Sequence, residues 1–269
     1  MFELPSPSHL DIETVDDCQV VRMYDLPVEL SNLIKALYDG ASFHNRSVAD
    51  FYYVAGILRL STKYFITHLR KQAIRHLSQT WPHSLRGHDH MVENAVKAPP
   101  VDGLSYPYVH PLHVLNLARE TNVRIIVPSA LYFLSLYPLS DLLQGDHPKL
   151  QIEHPSRPSL PDRCDAGLRP SYMRWRSPNV SCQNEDNICN KAFTRLANRL
   201  ARSWVPRTGP IHWMVQAMDE LSNDPNVCGP CRRAFRQDVT ALREKVWSEL
   251  PGVVGLTDWK NLEAADMDI

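Results

Sequence analysis

Glycine is scarce in this sequence, with 10 residues in 269 against 21 prolines. That balance argues against a glycine-rich phosphate-binding fold and points to helices separated by proline-bearing loops. Net charge is lacking as well. Lys and Arg total 29 and Asp and Glu 30, for a formal charge of -1. No global basic field exists to hold nucleic acid or anionic lipid, so any charged partner surface has to be local. The longest apolar stretch, Ile125 to Tyr137, is interrupted by Pro128 and is shorter than the ~20 residues that span a bilayer. It reads as a buried helix, and no membrane partner is expected. The opening Met1-Phe2-Glu3-Leu4-Pro5 has no basic stretch followed by an apolar core, so it does not resemble a secretory signal. A cytoplasmic or nuclear chain is expected. There the 6 cysteines point to metal binding or burial rather than disulfides, and the sequons at Asn45 and Asn179 are chance matches. Nucleophile elbows, His-Glu-x-x-His, P-loops and dinucleotide glycines are all missing. No catalytic residue is assigned.

What is present is enough for one or two domains with a sizeable core, since 43% of the residues are hydrophobic and 22% charged. The spacing predicts a mainly helical fold with a small α+β region at the N-terminus. Val20-Val21-Arg22-Met23-Tyr24 is a strand candidate, and Asp25 is placed to cap a helix opened by Pro27 and Glu29. Leu30, Leu33, Ile34, Leu37 and Tyr38 recur at helical spacing until Asp39-Gly40. Phe51, Val54, Ala55 and Leu58 mark a second helix. Ile66, Leu69, Ala73, Ile74 and Leu77 mark a third, ended by Trp81-Pro82. Pro99, Pro100, Pro107 and Pro111 bracket a loop around Asp102-Gly103. Leu112, Leu115 and Ala118 then line one helix, and Pro128 opens another that buries Leu131, Phe133 and Leu134.

Between His147 and Pro178 the chain is proline-rich and aperiodic, the best place for a boundary. The organisation expected is 1–81, a helical extension over 82–150, a linker over 151–178, and a C-terminal helical unit over 179–269. In that last unit Phe193, Leu196, Ala197, Leu200, Ala201 and Trp204 form one core-facing stripe. Ile211, Met214, Val215, Met218 and Leu221 repeat the pattern. Phe235, Val239, Leu242, Val246 and Leu250 do so again before Pro251-Gly252, which is expected to stop the helix.

The pattern carried by Asp25-Leu26-Pro27, by Leu33-Ile34-Lys35-Ala36-Leu37-Tyr38-Asp39 and above all by Leu58-Arg59-Leu60-Ser61-Thr62-Lys63-Tyr64 with Leu69-Arg70 resembles the later part of a BTB/POZ domain. The form is the one common in fungal (basidiomycete-type) proteins. Leu115-Asn116-Leu117-Ala118-Arg119-Glu120, Pro128-Ser129-Ala130-Leu131-Tyr132, Cys228-Gly229-Pro230-Cys231 and Trp247-Ser248-Glu249-Leu250-Pro251 resemble segments that follow the domain in those proteins. The resemblance implies a non-enzymatic module for protein–protein interaction and assembly. Its first strands and helix, which precede Met1-Phe2-Glu3 in the family and supply the dimer contacts, are not in the chain. A truncated domain, weak or partner-dependent stability for 1–81, and no homodimer of the family's kind are therefore expected. In BTB adaptors of cullin ubiquitin ligases a hydrophobic-x-Glu arrangement helps contact the cullin. Met1, Phe2 and Glu3 match it and are the partner-binding candidates, with packing of Phe2 and Leu4 onto the domain as the structural alternative.

The sharpest chemical motif is Cys228-Gly229-Pro230-Cys231. Two thiols at this spacing either share a metal or exchange a disulfide, and the tetrapeptide resembles the thioredoxin redox site. A thioredoxin site needs a preceding strand in a βαβ framework, and Asp219 to Val227 has no strand character. Adding Cys182 and Cys189 supplies four thiolates, the number a structural zinc ion takes, although six residues separate these two. Burial as reduced cysteines is the plain alternative, and His212 is a possible replacement ligand. Lys191, Arg195, Arg199 and Arg202 form a basic stripe for nucleic acid or an acidic partner. In a neutral chain it is more simply a solvated face, so nucleic acid is an alternative partner only. His83, His88 and His90 follow Trp81 at spacings that fit no metal motif, and they are expected in an exposed polar loop.

Overall fold

The computed structural model describes residues 14–16, 18–101, 106–137, 182–184, 188–203 and 209–267. Met1, Phe2 and Glu3, the proline-rich segment 151–178 and the loop at Asp102-Gly103 lie outside the described residues. Within them the fold is mainly helical, with ten helices and one two-stranded antiparallel pair, β1 (Thr14–Val15) and β2 (Cys18–Gln19). The helices are α1 (Pro27–Asp39), α2 (Val48–Lys63), α3 (Thr67–Thr80), α4 (Leu85–Lys97), α5 (Pro111–Glu120) and α6 (Val127–Leu134). After a gap come α7 (Ile188–Ser203), α8 (Gly209–Ser222), α9 (Gly229–Val253) and α10 (Trp259–Met267). None is long and apolar enough to cross a membrane.

The strand pairing falls before the segment Val20 to Tyr24, whose side chains from Val21 to Tyr24 are exposed. With these side chains exposed, the segment has no apolar face to bury and forms no strand. Asp25 does not cap α1 either. The N-cap is Leu26, without a side-chain bond, while Asp25 takes Lys63 at 2.6 Å and accepts from the Tyr64 hydroxyl. Asp25 thus ties the entry of α1 to the end of α2. Pro27 still opens α1 and Gly40, at φ 84°, closes it.

α2 is buried nearly all round, through Phe51, Val54, Ala55, Ile57, Leu58 and Leu60. At Ser47 the carboxylate of Asp50 reaches back to accept the N-cap N–H at 3.2 Å. α1 lies so close that a Cβ on Gly56 would stand 2.8 Å from the Glu29 side chain. Arg59, one position short of Leu60 on the same helix, donates to Glu29 at 2.8 Å and to Glu120 of α5 at 2.6 Å. The string Leu58 to Tyr64 therefore carries the joints of the N-terminal half, with apolar residues inward and Arg59, Lys63 and Tyr64 pairing outward.

α4 occupies the stretch expected to be a polar histidine loop. Ser84 accepts the Gly87 N–H at 3.2 Å as N-cap, and His88, Met91 and Val92 are buried. The expectation of exposure is correct for His90 and wrong for His88, which is 0% exposed. Likewise Pro251 does not stop the chain's helical course. α9 runs to Val253 and α10 follows. The proline has no N–H for the carbonyl of Trp247 four residues back, and the indole Nε1 of Trp259 donates to that carbonyl instead, at 2.8 Å. The two indoles stack at 5.6 Å.

Three apolar clusters result. One joins α1, α2 and α3 through Leu33, Ala36, Ile57, Leu60 and Leu69. The largest is built by α2 to α6 around Leu58, Ile74, Trp81, Leu117, Ile125 and Ile126, and it also takes in Ile211, Trp247, Leu250 and Leu262. The third lies among α7, α8 and α9, with Phe193, Leu196, Trp213, Met214, Leu221 and Phe235. α9, 25 residues long and so about 37 Å, contributes its first half to the third cluster and its second half to the largest. The C-terminal helices are accordingly packed onto the N-terminal ones. Buried Arg243 of α9 donates to the Ile211 carbonyl at 3.0 Å and pairs with Asp89 of α4. Asp266 of α10 accepts the N–H groups of both Arg124 and Ile125 at 2.7 Å, in front of α6.

Candidate metal centre

Cys182, Cys189, Cys228 and Cys231 come together, with their sulfur atoms all within 4.8 Å of one another. Three short pieces of backbone deliver them. Cys182 stands outside any helix ahead of α7, Cys189 is the second residue of that helix, and Cys228 is the N-cap of α9 with Cys231 in its first turn. Pro230 fits the first turn because its missing N–H would find no partner there. The turn before α9 is held by its own polar groups. Asp224 accepts the Asn226 N–H at 2.9 Å, and Arg232 donates to the carbonyls of Asp224 and Val227 at 2.8 and 3.0 Å.

The sulfurs receive N–H donors as thiolates require. The Cys228 amide lies 3.3 Å from the Cys189 sulfur, and the Asn184 side-chain amide lies 3.4 Å from it while also bonding the Asn226 carbonyl at 3.0 Å. Cys182 and Cys228 are 3.9 Å apart, sulfur to sulfur. Tetrahedral coordination at a 2.3 Å metal–sulfur bond places neighbouring sulfurs about 3.8 Å apart, so this edge already has the required length. Cys189, Cys228 and Cys231 are buried and Cys182 is exposed; all four are free thiols.

Ionisation is unevenly shared. Burial opposes a charge on Cys228, but the backbone N–H groups of Gln183 and Cys231 and the thiols of Cys231 and Cys189 outweigh it, bringing Cys228 down to about 6. Burial raises the Cys231 thiol far above its ordinary value, and donation to Cys228 adds to the rise. Cys189 is also raised, mainly by burial. Crowded thiols without a cation hold few negative charges, whereas a divalent ion at their centre displaces the protons and neutralises the charge. Four sulfur donors suit zinc and other thiophilic metals and do not suit magnesium or calcium.

The other expected residues do not join this centre. His212 stands near Asp89 and Arg243, where burial lowers its pKa. Lys191, Arg195 and Arg199 are exposed on α7 as expected. Arg199 pairs with Glu220 of α8, and the charges of Arg195 and Arg199 reach Asp224. The side chain of Arg202 and the residues Met1, Phe2 and Glu3 fall outside the description. Among the described residues no other group of metal-binding side chains gathers.

His88 is the polar residue whose placement the sequence reading missed. Its ring sits in an aromatic box of Tyr132, Phe133 and Trp247, at centroid distances of 5.5, 5.6 and 5.0 Å, and neither nitrogen has a hydrogen-bond partner. Burial lowers its pKa to about 3, with the nearby charges of Arg243 and His212 acting in the same direction. A signal was available in Leu85, His88, Met91, Val92 and Ala95, which recur at helical spacing behind an N-capping serine. No family, curated protein or solved structure matches the chain.

Proposed function

We propose that the protein is a non-enzymatic binding module, BTB/POZ-like in its N-terminal part, whose C-terminal helices are held by one structural zinc ion on Cys182, Cys189, Cys228 and Cys231. The observation that carries this reading is the gathering of four thiols from separate backbone pieces within 4.8 Å. Buried reduced cysteines have no need to converge, and zinc repays convergence with binding energy that becomes folding energy. The full chain is expected to hold about one chelator-removable zinc per chain and to lose it in Cys231→Ser. A chain without metal, with every thiol open to alkylation, overturns the assignment.

The binding half rests on the outer surface of α1. Ile34, Leu37 and Tyr38 are exposed there, close in sequence to exposed Met23, Tyr24, Leu26 and Val28. Unpaired apolar surface of this kind marks an interaction site, and a helix of a partner protein lies along such a face by its own apolar stripe. The resemblance nominates a cullin of a ubiquitin ligase. Retention of a purified cullin by the chain, lost in Ile34→Asp/Leu37→Asp with the melting temperature unchanged, supports that partner, and absence of binding overturns it.

The thiol oxidoreductase is the second reading, favoured by one specific observation: Cys228 lies at a helix N-terminus with its pKa lowered to about 6, as a nucleophilic thiol requires. Reduction of insulin-type disulfides that disappears in Cys228→Ser, in a zinc-free protein, would establish it. Against it stand Cys182 and Cys189, which crowd the pair where a substrate disulfide has to enter. A nucleic-acid regulator is less favoured still, because the basic stripe on α7 meets Glu220 and Asp224. It would require salt-dependent DNA binding lost in Arg195→Ala/Arg199→Ala.

A further inference from the structure

The four thiols are unequal in access. Cys182 is exposed and sits outside any helix, while Cys189, Cys228 and Cys231 are 4%, 9% and 7% exposed. The sulfurs of Cys182 and Cys228 lie 3.9 Å apart, and Cys182 also contacts the Asn184 carbonyl at 3.5 Å. Disulfide formation needs the two sulfurs to approach to about 2.05 Å, a closure that irregular chain at Cys182 accommodates by side-chain and local backbone rotation. Cys228 and Cys231, at the N-cap and in the first turn of one helix, are also in thiol–thiol contact, so their pairing is the competing outcome.

We infer that the thiolate centre is a hydroperoxide-responsive clasp, in which Cys182 is oxidised first and pairs with Cys228, releasing the metal and freeing the start of α7. This rests on the zinc reading above. In the first step the Cys182 thiolate attacks one oxygen of the hydroperoxide, the O–O bond breaks, and the leaving hydroxide or alkoxide takes a proton from water. The product is the sulfenic acid of Cys182. In the second, the Cys228 thiolate attacks that sulfur, the S–O bond breaks, and the departing hydroxide leaves as water after protonation. Two thiolates lose two electrons and the hydroperoxide gains them. Only Cys189 and Cys231 remain as donors, too few for a closed four-sulfur zinc site.

The structural consequence is local. Cys189, Ala192, Phe193 and Leu196 of α7 belong to the cluster that also contains Cys228, Cys231 and Phe235 of α9. Losing the metal removes the link between Cys189 and the α9 turn, while the disulfide keeps Cys182 on Cys228, so the start of α7 at Cys189 is the segment set free. The far half of α9 stays in place because Arg243, Trp247 and Leu250 hold it.

The test is a hydrogen peroxide titration of the zinc-loaded full chain in the presence of a chromophoric chelator, followed by alkylation and peptide mapping. Zinc release in step with loss of two thiols, a Cys182–Cys228 linkage in the map, and reloading after reduction by a dithiol are expected. Cys182→Asp keeps an anionic donor but no oxidisable sulfur there, and it is expected to slow release about tenfold or more. If that variant does not retain zinc, the linkage mapped in the unaltered chain decides. A zinc-bearing chain that resists peroxide, or that pairs Cys228 with Cys231, overturns this inference while leaving the zinc site standing. A chain that never binds zinc overturns both.

Discussion

Acidification should destabilise the fold through His88 in particular. The imidazole is neutral when folded, enclosed by Tyr132, Phe133 and Trp247 with both nitrogens unpaired, and its pKa falls from 6.5 to about 3. The unfolded chain, with an ordinary histidine, takes up a proton that the folded one refuses. Stability is therefore complete above pH 6.5 and is lost progressively as pH falls from there towards 3. One pKa unit corresponds to about 1.4 kcal/mol. The whole window is worth at most about 5 kcal/mol and the part between pH 7.5 and 4.5 about 2–3 kcal/mol, less whatever is relieved by water entering the box. Burial also depresses His76 and His212, so wild-type pH dependence alone cannot assign the effect. The discriminating perturbation is His88→Leu, which removes the titrating group and keeps an apolar side chain in the box. Its packing cost is the same at both pH values and cancels. Urea unfolding of both proteins at pH 7.5 and 4.5 gives the double difference, and the variant should lose about 2 kcal/mol less stability than wild type. Equal losses, within about 0.5 kcal/mol, refute the burial argument and place the imidazole in contact with water.

Removing the carboxylate of Asp266 in Asp266→Ala leaves the N–H groups of Arg124 and Ile125 without their acceptor. Thermal or urea unfolding should show a loss of about 2–3 kcal/mol, and a loss below about 0.5 kcal/mol would mean that water replaces the carboxylate. Trp259→Phe deprives the Trp247 carbonyl of its 2.8 Å donor, at a cost of about 1–2 kcal/mol plus some stacking. Because Pro251 is the reason that carbonyl is open, Pro251→Ala should offset part of the loss. A double-mutant cycle showing strict additivity would break the connection.

The helical class was legible because apolar residues recur at three and four positions, and that spacing located α1, α2, α3, α5, α6, α7, α8 and most of α9. It failed where chemistry drew attention away from spacing. Three histidines between Trp81 and Met91 concealed α4, although Ser84 is an ordinary N-cap and Met91 and Val92 are both buried. Pro251-Gly252 suggested an end, but a proline in a last turn costs one hydrogen bond, and a distant indole restores it. The thiol centre was legible in composition, from Cys228 and Cys231 outward. The loose gap from Cys182 to Cys189 proved compatible with it, since both sulfurs lie within 4.8 Å of those on α9. Nothing in the sequence could pair Arg243 with Asp89 or Asp266 with Ile125, since these partners are 154 and 141 residues apart.

Those long-range pairs decide how far the thiol centre reaches. α9 carries Cys228 and Cys231 at its start and Arg243 and Trp247 near its end, about 24 Å further along the axis. Were the helix held only at the cysteines, metal loss would unseat it and with it the largest apolar cluster. It is held independently at the far end by the Ile211 carbonyl, Asp89 and the His83 carbonyl, which accepts the Trp247 indole N–H at 3.2 Å. Cooperativity between the two ends is carried by one rigid rod and by α8, whose Ile211 lies in the large cluster while Trp213 and Met214 lie in the thiol-side one. Chelation should accordingly raise hydrogen exchange in α7 and the first turns of α9 while protection persists at Trp247, Leu250 and the helices they touch. A zinc ion held there would govern the order of one end of the protein and leave the far end of α9 anchored by Arg243 and Trp247.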